Sequence, residues 1–430
     1  MATSSSSETN RRDFLKKGTA ATVTAGIVAS NLNQSVYANS TDTLRVGLIG
    51  CGGRGTGAAN QALSADPQTK LVAMGDAFAD QIDKSHQNLI NTKVKGQVEV
   101  PEENRFAGFD AYKHVIDNVD VVLLTTPPHF RPEQLKAAVD AGKHVFVEKP
   151  VAVDAAGVRS ILETCEVAKK KNLSIVSGLC WRYHYGMRET FQQVHDGNIG
   201  DVVAMQCSYN TRGLWKKDRQ ESWSDMEWQL RNWLYFTWLS GDFITEQHIH
   251  SLDKIGWTMH DEPPVRCNGT GGRQTRTEDA YGHVYDHFAV VYEYANGVKA
   301  FSRCRQQDGC AVDVSDHVIG TEGRADVFKH RTLNHKGERM WQFRGKKNNM
   351  YQTEHDEFFA SIRSGKPINN GEYMSRSTMM AIMGRMAAYT GQTITWEDAM
   401  NSKEVLKPER YDWISMDVPP IAMPGITAFS

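Results

Sequence analysis

The chain falls into two stretches of different hydrophobic period. In the first, short continuous apolar runs alternate with helical spacing. Residues 44–49, 70–75, 119–126, 145–147 and 174–178 read as strands buried on both faces, and residues 57–65 and 132–140 as helices, the second stopped by Gly142. This βα alternation predicts an α/β fold built on a doubly wound parallel sheet. Beyond Arg182 the pattern becomes alternating and hairpin-like: residues 202–209, 287–294, 298–305 and 312–319 read as strands, with Ala295-Asn296-Gly297 as a hairpin turn. Helices return at residues 354–363 and 376–389, where Met379, Met380, Met383 and Met386 recur at helical spacing and belong to the core.

The first strand runs into Gly50-Cys51-Gly52-Gly53-Arg54-Gly55, a G-x-G-x-x-G loop, and the second ends at Asp76. Between a strand and a helix, these glycines allow a tight turn at Gly50, close approach of a pyrophosphate at Gly52, and close helix packing at Gly55. An acid about twenty residues downstream suits the ribose hydroxyls and repels a 2′-phosphate, so NAD is the expected cofactor. The run Val145-Phe146-Val147 delivers Glu148-Lys149-Pro150 to a strand's carboxyl end, the edge at which open α/β sheets bind ligands.

Composition changes this picture little. The 430 residues are 40% hydrophobic and 23% charged, with a formal net charge of −2 and no dense Lys/Arg block, so neither nucleic acid nor an anionic membrane surface is an implied partner. Cysteines 51, 165, 180, 207, 267, 304 and 310 show no metal-thiolate spacing, and no metal is expected from them. The N-terminus adds more: Arg11-Arg12-Asp13-Phe14-Leu15-Lys16, a short apolar run and Val36-Tyr37-Ala38 have the layout of a twin-arginine export signal. The expected division is a signal peptide at 1–38, a cofactor domain at 39–178, a substrate and oligomerisation domain at 179–400, and a C-terminal extension at 401–430. An exported, periplasmic location follows from that signal.

Together the glycine loop, Asp76, the Thr126-Pro127 turn with His129, Glu148-Lys149-Pro150 and Trp181-Arg182-Tyr183 resemble the Gfo/Idh/MocA oxidoreductase family. The resemblance runs from about Leu44 to Trp396. It implies a Rossmann domain followed by an α+β domain whose open, mostly antiparallel sheet often forms the oligomer interface. It also implies that Lys149 lies beside the nicotinamide and Arg182 near the nicotinamide or substrate. A cis bond at Lys149–Pro150 is compatible with it. In the family a helix usually carries an acid four residues before a histidine; Glu246 and His250 hold those positions, with glutamate instead of aspartate and His248 where glycine is common.

An i,i+4 pair shares one helix face, so Glu246 is expected to orient His250. His250 is the expected base, its solution pKa lying near working pH, with Lys149 polarising the substrate oxygen; the two roles are exchangeable. A metal site at His248 and His250 would need an extended segment. Tyr183, His184, His248, Tyr281 and His283 are candidate substrate residues. Five tryptophans lie between Trp215 and Trp238, suiting either sugar rings or a packed lid or interface.

Outside the cytoplasm no NAD pool is evident, so a cofactor used there stays bound and is restored in each cycle. An oxidoreductase acting on a sugar or polyol meets that condition, and so does a glycosidase that uses bound NAD transiently. A non-catalytic sugar-binding protein is disfavoured by the intact Lys149, Glu246 and His250.

Overall fold

The computed structural model describes residues 42–430; the expected export signal lies outside the described residues. Two sheets organise the chain. The first contains β1 (Leu44–Ile49), β2 (Thr69–Asp76), β3 (Arg105–Ala107), β4 (Val121–Leu124), β5 (His144–Val147) and β6 (Ile175–Ser177) in the order β3-β2-β1-β4-β5-β6, all parallel. The order reverses beside β1, and β4 follows on its other side. That switch point leaves a crevice at the strands' carboxyl ends, where Gly50 to Gly55 and residues 125–127 emerge. Every residue of β4 and β5 is buried, as their unbroken apolar runs require of strands covered on both faces.

The second sheet has nine strands: β7 (Val202–Thr211), β8 (Arg266–Gly272), β9 (His287–Glu293), β10 (Lys299–Gln306), β11 (Asp313–Gly320), β12 (Gly323–Asp326), β13 (Arg331–Asn334), β14 (Arg339–Gln342) and β15 (Ile394–Thr395). Their order is β14-β13-β12-β11-β7-β10-β9-β8-β15, antiparallel except for β7 with β10. The four strands read from alternation are the adjacent strands β11, β7, β10 and β9. Those missed are the short β12 to β15 and the glycine-rich β8, which carry little side-chain pattern. The helix Gly371–Thr390 packs behind this sheet and buries Met379, Met380, Met383 and Met386.

Between β7 and β8 an insertion folds into short helical turns around its own apolar cluster, which includes Met226, Trp228, Leu234, Phe236 and Trp238. Phe78, Phe109 and Phe130 from the parallel-sheet half pack against it, as do Leu406 and Met416. Past the helix Trp396–Asn401 the chain runs without helices or strands to Ser430.

Candidate active site

The glycine loop serves two purposes. At Gly50 the backbone takes φ +93°, which favours glycine, and a side chain would meet the backbone of Thr125 and Thr126. At Gly55 a Cβ would collide with the Gly50 carbonyl oxygen. A Cβ on Gly52 or Gly53, by contrast, would have nothing within 4 Å. The loop therefore packs tightly against the protein and leaves open space at the N-terminus of the helix Gly53–Ala65, where unpaired N–H groups favour an anion.

That space belongs to a cleft of about 480 Å³ lined by the glycine loop, Asp76, Phe78, Thr126 and Pro127. Both Asp76 oxygens are held, Oδ2 by the Cys51 N–H at 2.6 Å and Oδ1 by the Phe78 N–H at 3.0 Å. Burial pushes this carboxyl above its usual range. Cys51 contributes its backbone, since its thiol is buried against the Gly75 carbonyl. An open glycine loop, a helix N-terminus and an acid at the end of β2 fit a nicotinamide dinucleotide.

Lys149 leaves the end of β5 through a cis Lys149–Pro150 bond. Its ammonium donates to Glu246 twice, to the carbonyl at 2.5 Å and to Oε1 at 3.0 Å. Both side chains are mostly buried, at 14% and 16% exposure, which preserves the attraction against water. Glu148 is tied to Arg54 of the glycine loop, and Arg54 also donates to Glu354 Oε1 at 2.8 Å. Burial raises the Glu148 carboxyl, but Arg54 and Arg131 overcome this and hold it low. Burial and the nearby Glu148 charge push Glu354 well up. Arg131, which the sequence did not single out, is buried and donates to the carbonyls of Thr126 and Pro150, joining the cleft turn to the lysine loop.

Glu246 and His250 do not share one helix. Phe243–Glu246 is a single turn, Gln247 and His248 break it, and Ile249–Thr258 begins a second helix. His250 keeps an enclosed Nδ1 that has no hydrogen-bond partner among the described residues. Burial, then the Lys149 charge, lower its pKa well below the solution value on which the sequence reading rested, which favours the neutral imidazole.

Several candidate residues are engaged away from this centre. Arg182 pairs with Asp253 at 2.8 Å and with Asp261, and it lies over the rings of Trp257 and Tyr373. Its guanidinium is thus held by two carboxylates within the chain. Tyr183 is buried and donates to Asn370 Oδ1 at 2.9 Å. His184 caps the helix Tyr185–His195 and stacks on His330. His248 is buried with Nε2 2.6 Å from Ser302 Oγ, and its helical backbone lacks the extended geometry that a metal pair with His250 needs. His283 is buried against Thr237 Oγ1 at 2.7 Å, and Tyr281 packs edge-on to Tyr235. His129 bonds Tyr411 Oη at 2.7 Å, behind the Thr126-Pro127 turn. Apart from Tyr281, whose contacts are to rings, each of these side chains has a polar partner within the fold.

Part of the tryptophan-rich segment also enters the cleft, together with Lys217, Leu230 and Arg231, which the sequence did not single out. Trp215, Lys217, Leu230, Arg231 and Trp233, all from the insertion, form its opposite wall.

A two-sheet chain with a glycine-loop cleft and a lysine at the end of β5 defines a dinucleotide-binding protein of the oxidoreductase class. Comparison with known proteins is consistent with this. The model of the oxidoreductase family with an NAD-binding Rossmann fold (Gfo/Idh/MocA) matches residues 44–176, and that of the Gfo/Idh/MocA C-terminal domain matches residues 187–326. The chain belongs to the Gfo/Idh/MocA family, and its N-terminal half carries that family's NAD-binding Rossmann fold. It is 26% identical over 290 residues to inositol 2-dehydrogenase of Serratia proteamaculans, covering 66% of this chain and 74% of that one. It is 23% identical over 304 residues to a glycosyl hydrolase family 109 protein of Porphyromonas gingivalis, covering 67% and 60%. The chain spans roughly half to three-fifths of the length of several curated relatives it matches. Its fold resembles that of the aldose-aldose oxidoreductase of Caulobacter crescentus, with a TM-score of 0.63 at 19% identity over 82% of this chain and 99% of that one.

Proposed function

We propose that the protein is an exported NAD-dependent oxidoreductase that acts on a CH–OH group of a sugar, polyol or sugar derivative and retains its cofactor. The observation that carries this reading is Lys149, delivered by β5 to the switch-point edge and held on Glu246 with a neutral His250 nearby. Bound in the cleft, NAD supplies the hydride acceptor. The chain's own residues handle the proton and the orientation: Lys149 donates to the substrate oxygen, Glu246 aims the ammonium, and His250 accepts the hydroxyl proton. Because His250 is neutral it is ready to accept, while the adjacent ammonium favours the developing alkoxide.

A second reading has support from the family 109 relative: a glycosidase in which bound NAD is restored within each turnover. The twin-arginine layout supports export, and with it a retained cofactor. Exposed Val203 and Phe301 on the open sheet support self-association there. The domain division near residue 178 and the extension after residue 400 belong to the same proposal.

The test is to denature protein purified from the exported fraction, quantify released NAD(H) before and after dialysis, and assay inositols, aldoses and aryl glycosides. Stoichiometric cofactor that survives dialysis, with an oxidised product, is expected. A cleaved glycoside without net redox change would favour the glycosidase, and empty protein would overturn retention.

A further inference from the structure

The insertion and the C-terminal chain meet over the cleft in a way that the reaction does not require. Arg231, on the cleft wall, crosses to the parallel-sheet half and pairs with Asp80 at 2.9 Å while lying 3.9 Å over the Phe78 ring. Phe78 follows Asp76 by two residues, so this joint lies at the adenosine end of the cleft. The tail covers the joint from outside. Trp413 packs on Phe78 and Phe109 with centroids 5.5 and 4.9 Å away, and Tyr411 bonds His129 and packs against Phe109 and Phe130. Its next residues reach the insertion: the Ile414 carbonyl accepts from the Met226 N–H, and the Met416 N–H donates to Asp225 Oδ2 at 3.1 Å.

The tail is anchored on both sides of this crossing. Before it, the Leu406 N–H donates to Asp154 Oδ2 at 2.9 Å. After it, the Ala422 carbonyl accepts from Tyr285 Oη at 2.8 Å and the Gly425 N–H donates to the Thr390 carbonyl. The segment has no helix or strand of its own; backbone bonds tie it on both sides of the crossing, and the rings of Tyr411 and Trp413 hold it at the joint. Trp413 and Tyr411 do not line the cleft; they touch the residues that do.

We infer that residues 411–416 form a strap that locks the aromatic insertion over the adenosine end of the cleft, so that NAD enters and leaves only when the strap lifts. This rests on the NAD-binding reading of the cleft. A strap lies in the path of both entry and exit, whereas a direct ligand contact acts mainly on exit.

The test uses the full chain loaded with NAD. Release is followed by trapping free NAD with an excess of a second dehydrogenase, and uptake by stopped-flow tryptophan fluorescence. Trp413→Ala is expected to speed release and uptake together by about tenfold with little change in Kd, and Tyr411→Phe to shift both less in the same direction. Arg231→Leu, which alters the cleft wall itself, is expected to speed release more than uptake. Wild-type rates in both tail variants overturn the strap, as does faster release without faster uptake in Trp413→Ala. The ratio of variant to wild type decides this whatever the absolute retention. A fast-releasing wild type with a tenfold ratio therefore removes the retained-cofactor reading and leaves the strap. A chain that takes up no NAD overturns both.

Discussion

The Lys149 ammonium lies 3.0 Å from Glu246 Oε1 and also donates to the Glu246 carbonyl, joining the end of β5 to a helical turn 97 residues away. This pair fixes where the lysine points, since its stem would otherwise sample many rotamers. Lys149→Ala is expected to lower kcat by about 10²-fold to 10⁴-fold with bound NAD unchanged, the range for a positioned proton-transfer group. Glu246→Gln keeps an oxygen for the ammonium and loses its charge, so a smaller loss is expected. Single-turnover rates alongside cofactor content check both, and a wild-type rate in Lys149→Ala removes it from the reaction.

Neutral His250 sets the acid side of the pH–rate profile. A base works while deprotonated, and lowering its pKa carries the loss of activity to lower pH. Rates saturating in substrate are expected to stay level from pH 7.5 to 6 and to fall only in more acid solution. A half-loss near the ordinary histidine pKa in that profile would contradict the burial seen here.

Two glycines of one loop are expected to fail differently. Gly55→Ala forces a methyl group onto the Gly50 carbonyl, so both thermal stability and NAD binding drop. Gly52→Ala meets open space within the protein, so Tm holds while NAD binding weakens. Thermal melts with and without NAD separate the two outcomes.

Arg182 holds Asp253, whose side chain is 1% exposed. Removing the guanidinium strands a buried carboxylate, so Arg182→Met is expected to cost about 3–5 kcal/mol of unfolding free energy. NAD affinity of the folded fraction should change little. Urea titration and NAD titration measure the two, and a stable variant with lost NAD affinity would return Arg182 to the cofactor site.

Acid sensitivity follows from buried imidazoles. Burial lowers His248 and His355 to about 3, below the unfolded value near 6.5. Between those pH values the unfolded chain binds more protons, so stability falls as the solution is acidified, by about 1.4 kcal/mol per pH unit for each such group. His248→Gln should flatten that slope in melts between pH 6.5 and 4; an unchanged slope would show that His248 already protonates in the folded chain.

The sequence by itself determined the features that depend on neighbouring residues. Apolar runs bounded by glycine placed β1, β2, β4 and β5, the glycine loop carried its turn and its open positions, and Glu148-Lys149-Pro150 announced a strand end. These are local because φ preference and side-chain period act over a few residues. Only the tertiary structure decided what the polar side chains would meet. Arg182 closes on Asp253, His248 turns to Ser302, and the helix meant to align Glu246 with His250 breaks at Gln247. The tryptophan insertion and a tail some 300 residues beyond Phe109 become parts of the cleft's enclosure. Such contacts arise because a buried polar or aromatic group takes the nearest partner in space, and no period in the chain records which distant segment supplies it.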